Sequence, residues 1–101
     1  MMRMVPLLLE SGETVLGVEV KLPKTTLLSI STERGYIMCG ALDVSLLNER
    51  LKDREIIAAR AVGVRTLEEL MEAPLESVTS AAELLGIVAG MKGSEALRLM
   101  L

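Results

Sequence analysis

The most reactive side chain in this sequence of 101 residues is its single cysteine. Cys39 ends a strand-like stretch and is followed by Gly40 and Asp43, where a helix is expected to begin. Backbone amides at a helix start stabilise a thiolate, so Cys39 is a candidate catalytic nucleophile. The alternative is packing in the core, because free cysteine is among the residue types most often buried.

Two arginines could bring positive charge to a ligand. Arg65 precedes Thr66 in a turn, where its side chain could bind an anion together with helix amides; the alternative is a solvated turn residue. Arg60 interrupts an apolar strand, and a guanidinium is costly to bury without a partner. We therefore expect Arg60 to be paired, for example with Glu19 or Asp43 or with another subunit.

Several kinds of site are excluded by residue types that the sequence lacks. It has no histidine, which removes Cys-His and Ser-His-Asp catalysis and histidine metal sites. One cysteine and two aspartates are too few for a structural zinc site. No phosphate-binding P-loop or dinucleotide fingerprint is present, since no third glycine follows Gly35 and Gly40 at the required spacing. We expect no metal and no cofactor, and whether the chain is an enzyme stays open.

The segment Gly90-Met91-Lys92-Gly93-Ser94 is a glycine turn before a helix. Such a turn can hold a phosphate and faintly resembles a helix-hairpin-helix element, although a turn followed by a capped helix explains it more simply. Residues 66–101 carry six acidic and two basic side chains, which would repel a nucleic acid. With one aromatic residue, the chain also lacks the stacking platforms of single-strand binders.

Strand-like stretches in the first forty residues predict an antiparallel meander, with the clearest alternation of apolar and polar residues at 18–22. The expected strands cover residues 4–10, 14–22, 26–32 and 36–39. Pro23-Lys24-Thr25 breaks the ladder between the second and third strands, because proline cannot donate a hydrogen bond to it.

The rest of the chain predicts one parallel crossover. Residues 43–53 have helical spacing behind Asp43 as N-cap, and residues 56–62 are apolar without alternation, as in a central strand. A last short strand is expected at 87–89. Further helix starts are indicated at Thr66 with Glu69 as a capping box, at Ser77 or Thr79, and at Ser94. The fold class is α+β, a single small domain over residues 1–101, with a mixed sheet and helices packed on it.

The crossover places a candidate site at one edge of the sheet. The strands at 36–39 and 56–62 should be parallel and joined with right-handed sense, so that their carboxyl ends share an edge. We expect two helix starts to provide free amides there and Arg65 to provide the charge that binds a small anion. The catalytic candidate is Cys39, and the candidate ligand-binding residues are Gly40, Asp43, Gly63, Arg65 and Thr66.

Composition also indicates how the chain behaves. Half of its residues are apolar but it has neither Phe nor Trp, so a small core should leave an apolar patch uncovered. We expect a homo-oligomer. The absence of paired cysteines and of any long apolar run indicates a cytoplasmic protein that interacts with neither membranes nor nucleic acids.

Five segments of the sequence resemble the YunC-like family of small bacterial and archaeal proteins, a domain family of unknown function. They are Val18-Glu-Val-Lys-Leu-Pro-Lys-Thr25, Gly35-Tyr-Ile-Met-Cys-Gly-Ala-Leu-Asp43, Ala61-Val-Gly-Val-Arg-Thr66, Ala73-Pro-Leu75 and Gly90-Met-Lys-Gly93. The resemblance covers nearly the whole chain and implies a compact α+β domain with a mixed sheet. It brings no activity, substrate or catalytic residue.

Three functions remain open. The first is a small oligomeric binding or interaction domain that holds an anionic metabolite or partner at the edge with Cys39 and Arg65. The second is a thiol-dependent enzyme that uses Cys39, and the third is a purely structural subunit without a ligand site. Binding ranks above catalysis because the residues that catalysis usually needs are scarce.

Overall fold

A computed structural model describes residues 1–40, 44–49 and 52–101. The strands are β1 (Met2–Leu8), β2 (Thr14–Leu22), β3 (Thr25–Ser31), β4 (Gly35–Met38), β5 (Ile57–Arg60) and β6 (Ser77–Val78). The helices are α1 (Val44–Glu49), α2 (Leu67–Glu72), α3 (Ser80–Glu83) and α4 (Gly93–Leu99), with a 3-10 turn at Lys52–Arg54. None of the helices in these ranges is long and apolar enough to cross a membrane.

The six strands form one mixed sheet, and they lie in it in the order in which they occur along the chain. Strands β1 to β4 are an antiparallel meander, β4 and β5 are parallel, and β6 returns antiparallel to β5. The predicted α+β class, with a meander extended by one parallel crossover, is therefore confirmed.

One face of the sheet lies against helices. Strand residues alternate between faces, and the register places Val15, Leu28, Ile30, Ile37 and Ala59 on the same side. All five are buried, and helices α2 and α4 bring Leu67, Leu70, Ala96 and Leu97 into the same core. We call this the helix-covered face.

The two helices on that face approach each other closely at a glycine. Gly93 opens α4 against the backbone of α2, and a Cβ at that position would overlap the carbonyl oxygen of Leu70. The terminal residues close the same side, because the Thr32 hydroxyl donates to the carbonyl of Met100 at 3.1 Å. The segment 90–94 therefore serves the packing of α2 on α4.

Within the described ranges, the opposite face of the sheet is covered at one end only. Ala58 of β5 is the register partner of Tyr36 and points away from the helix-covered face, yet it is fully buried. Val44 and Leu47 of α1 are buried as well, outside the main core, and α1 packs against β5. We infer that α1 covers the second face at Ala58.

Over β1 to β4 this second face carries no charged side chain, and none of its residues is buried. We call it the open face. Its residues are Met2, Met4, Pro6 and Leu8 of β1, Thr14, Leu16, Val18, Val20 and Leu22 of β2, Thr25, Leu27, Ser29 and Ser31 of β3, and Tyr36 and Met38 of β4.

Two local predictions are wrong. Residues 87–89 form no strand, and the strand that pairs with β5 lies earlier, at Ser77–Val78. Ser94 does not cap α4, because Lys92 occupies the N-cap position and Gly93 begins the helix. The chain is already helical at Gly93, where it packs against the carbonyl of Leu70, so Ser94 is the second residue of α4 and not its cap.

Candidate functional site

The predicted site lies at the edge where β4 and β5 end, which we call the carboxyl edge. The two strands are parallel, with Met38 opposite Arg60, so Cys39 and Gly40 leave β4 beside the residues that follow β5. A Cβ on Gly40 would lie 3.7 Å from the guanidinium of Arg60 and 3.7 Å from the side chain of Val62. Asp43, also assigned to this site, lies outside the described residues.

Cys39 lies at this edge but points into the core. It is 7% exposed, and its Sγ accepts a hydrogen bond from the backbone amide of Leu28 at 3.4 Å. Its own amide donates to the carbonyl of Leu28 at 3.1 Å, which extends the β3–β4 pairing by one residue. These contacts fit a packing role, and the catalytic role of Cys39 stays a prediction.

Arg60 has an ion-pair partner, as expected, but the partner is Glu76. The Nε of Arg60 lies 3.9 Å from Oε1 of Glu76, the residue just before β6. That Nε is buried and its N–H donates to no acceptor within hydrogen-bond distance among the described residues, while the side chain as a whole is 32% exposed. Arg60 thus connects the end of β5 to the segment that leads into β6.

Thr66 caps α2 as predicted. Its hydroxyl accepts from the amide of Glu69 at 3.1 Å, and the carboxylate of Glu69 accepts from the amide of Arg65 at 2.7 Å. This exchange of bonds is a capping box displaced by one residue. Two amides at this helix start are therefore occupied by side chains of the chain itself, which leaves fewer amides for a ligand.

Side chains with donors are gathered in a groove between the β2–β3 turn and the turn after β5. The groove has a volume of about 550 Å³, and Arg65 and Val64 form one wall. The other wall is formed by Lys21, Leu22, Lys24, Thr25 and Thr26. We call this feature the cationic groove. Gly63, with φ of +75°, forms the turn that carries Val64 and Arg65 from the end of β5.

The lysines and threonines of this groove were missed by the sequence reading. The alternation at 18–22 predicts a strand but no role for Lys21, and Pro23-Lys24-Thr25 predicts only a break in the ladder. The signal was present in the predicted topology, because an antiparallel meander places the β2–β3 turn at the same edge as the end of β4.

The charges in the groove are of one sign. Lys21, Lys24 and Arg65 are exposed, and within the described part of the chain none of them forms an ion pair. Among the residues that the structure describes, no acidic side chain lines the groove, although the chain as a whole carries a net charge of −3. Lys24 also has φ of +66°, a left-handed conformation that glycine adopts at lower cost. The groove is thus a local region of positive charge on an acidic protein.

A second cavity of about 370 Å³ lies between α1 and α3. Its lining is mostly apolar, and its main polar contact is internal, because the backbone amide of Ser80 donates to Oδ1 of Asn48 at 2.8 Å. Among the residues that the structure describes, no three acidic or cysteine side chains converge as a metal site would require. The cationic groove is therefore the stronger candidate for a ligand.

Similar proteins carry descriptions of unknown function. Residues 38–100 match the family model described as "Domain of unknown function (DUF1805)". The "Uncharacterized protein YunC" of Bacillus subtilis (strain 168) is 57% identical over 101 residues, which are 100% of this chain and 99% of that protein. The crystal structure of a protein of unknown function, TA1206 from Thermoplasma acidophilum, is similar with a TM-score of 0.87 and 26% identity, covering 100% of this chain and 94% of that one.

Proposed function

The chain belongs to the DUF1805 family of YunC-like proteins, and because that membership brings no activity with it, we propose a function from the cationic groove: the domain binds a small anionic metabolite there. The observation that carries this proposal is the meeting of Lys21, Lys24 and Arg65 in one groove without an acidic partner among the described residues. Lys21 and Lys24 lie at the β2–β3 turn and Arg65 follows β5, so the fold brings two distant parts of the chain together there.

Electrostatics favours an anion in this position. Like charges that share a groove repel one another, and a ligand of opposite sign removes that repulsion and gains an attraction to each cation. The guanidinium of Arg65 can donate two parallel hydrogen bonds to a phosphate or carboxylate, whereas the lysines act as point charges. Because the cations are exposed, we expect binding to weaken as ionic strength rises.

The shape and remaining lining indicate a ligand with a polar head and a small apolar part. Thr25 and Thr26 contribute hydroxyls, which donate to anionic oxygens, and Leu22 and Val64 contribute apolar surface beside them. A volume of about 550 Å³ is within the range of small-molecule sites, about 300–1,000 Å³. The chemical class that fits is a phosphorylated or carboxylated metabolite rather than a polymer.

Binding can be tested first with inorganic phosphate and then with a panel of phosphorylated and carboxylated metabolites, by calorimetry at low salt. We expect Arg65→Ala to weaken phosphate binding about tenfold or more, since a hydrogen bond to a charged group contributes about 1.5–3 kcal/mol. Lys24→Gly should weaken it as well while preserving the turn, because glycine suits the positive φ at that residue.

The matched control is Arg54→Ala. Arg54 is exposed and precedes β5, so it lies at the opposite edge of the sheet, and its removal changes the net charge by the same amount. Equal loss of binding in Arg65→Ala and Arg54→Ala would show that only net charge matters, and the groove proposal would be rejected. So would a wild-type chain that binds neither phosphate nor any member of the panel.

A further inference from the structure

We propose that the open face is a self-association surface, covered in solution by a second copy of this chain. This inference is independent of the cationic groove. It starts from the exposure of large apolar side chains on a regular sheet: Leu8 is 71% exposed, Met2 64% and Met4 59%. A sheet face of this kind normally lies against another layer of protein.

The distribution of charge points to the same surface. Every charged residue within β1 to β4, namely Arg3, Glu19 and Lys21, is on the helix-covered side of the sheet. Arg3 and Glu19 are also paired with each other, with Nε and Oε1 3.5 Å apart. The open face is left uncharged from the edge strand β1 to the centre of the sheet, although charged residues make up 25% of the chain.

The absence of charged side chains on the open face favours a second copy of the chain as the partner that covers it. In a two-fold symmetric dimer the same patch meets itself, so a charged residue near the axis would face a like charge. The open face avoids this, since its polar members, such as Thr14, Ser29 and Ser31, have hydroxyls that both donate and accept. It is therefore complementary to itself.

The area of the face agrees with what a dimer needs. The open face spans four strands of about seven residues each. At about 3.4 Å per residue and about 4.8 Å between strands, it measures roughly 24 by 19 Å, or about 450 Å² if it is treated as flat. The largest apolar patch on a monomer is usually about 300–600 Å², and a stable interface takes about 800 Å² of accessible surface from each partner. Nearly the whole open face is thus required, with the two sheets stacked face to face.

The first test is the mass in solution, measured by light scattering over a range of concentrations up to about 100 µM. We expect twice the monomer mass of 10.9 kDa or a larger multiple. Met4→Glu and Leu16→Glu each place a charge on the open face and should return the chain to a monomer. The matched control is Leu84→Glu, since Leu84 is 88% exposed and lies beyond α3, outside the open face.

A second measurement needs no variant and so does not depend on whether a variant folds. The methyl groups of Met4 and Met38 lie on the open face, whereas Met100 is fully buried in the core behind the helix-covered face. On dilution of the wild-type chain, methyl signals of Met4 and Met38 should shift and that of Met100 should not. A wild-type monomer at the highest concentration overturns the proposal and leaves the face to another protein or to lipid. An oligomer that Leu84→Glu dissociates, or that Met4→Glu and Leu16→Glu leave intact, also overturns it.

Discussion

Leu22 of β2 is the register partner of Thr25 of β3, and both residues belong to two surfaces at once. They line the cationic groove beside Lys24, and they form the end of the open face at the carboxyl edge. The proposed ligand site and the proposed contact between copies therefore border each other at this pair.

The first prediction concerns that shared position. Leu22→Glu places a negative charge in the groove and on the open face, so we expect it to weaken both phosphate binding and self-association. Arg65→Ala should affect phosphate binding alone, and Met4→Glu should affect the oligomer alone. Calorimetry and light scattering on the three variants decide it, and a Leu22→Glu chain that retains both properties would contradict the placement of both surfaces.

The second prediction concerns the cap of α2. Thr66→Ala removes the hydroxyl that accepts from the amide of Glu69 and should lower the free energy of unfolding by about 1 kcal/mol, the usual value for a lost N-cap. Ser94→Ala is the control, because Ser94 lies within α4 and does not cap it. Urea unfolding gives both values, and equal effects at the two positions would speak against the capping role of Thr66.

The third prediction distinguishes two glycines. Gly93→Ala forces a methyl group against the carbonyl of Leu70 and should destabilise the fold by about 1–3 kcal/mol, as overpacking usually does. Gly40→Ala places its methyl 3.7 Å from the nearest atoms, an ordinary contact, and should leave stability almost unchanged. Thermal unfolding of both variants tests the comparison; a stable Gly93→Ala chain would mean that α2 and α4 can move apart at little cost.

The fourth prediction concerns the thiol of Cys39. Because Cys39 is buried and its sulfur already accepts a bond from Leu28, we expect a thiol reagent to label the native chain at least about tenfold more slowly than the chain in urea. Labelling followed by mass spectrometry measures both rates. Rapid labelling of the native chain would instead favour the thiol-dependent enzyme among the three functions that the sequence left open.

The sequence predicted those parts of the fold that depend on patterns within one segment. Alternation gave β2 with its observed bounds, and the apolar stretch around Ala58 gave the parallel central strand. The two-residue strand Ser77–Val78 was missed because it is too short to show a period. The apolar run at 87–89 forms no strand, and its residue Ile87 is buried by packing in the core. Helix starts were predicted where a side chain caps the helix: Thr66 is confirmed, and of the two alternatives Ser77 and Thr79 the structure has Thr79 as the cap.

The candidate site was predictable only in part, for a related reason. Arg65 was identified because it lies between a strand and a capped helix, both of which are local signals. Lys21 and Lys24 are brought next to Arg65 by the register of β2 on β3 and by the turn at Gly63. Both features belong to the tertiary structure and leave no pattern within one segment of the sequence. A charge in an amphipathic strand looks the same in a sequence whether it meets solvent or a ligand.

The order of the sheet has a consequence for how the chain folds. Every strand pairs with the strand that follows it in sequence, so each new ladder closes a loop of modest length and the entropy lost at each step stays small. The hairpins of the meander β1 to β4 should therefore form with a smaller loss of chain entropy than the parallel β4–β5 pair, which needs a crossover through α1. Helix α4 closes a much longer loop, because it packs on β4 and brings the carbonyl of Met100 to the hydroxyl of Thr32. Docking this last helix should therefore cost more chain entropy than forming any hairpin of the meander.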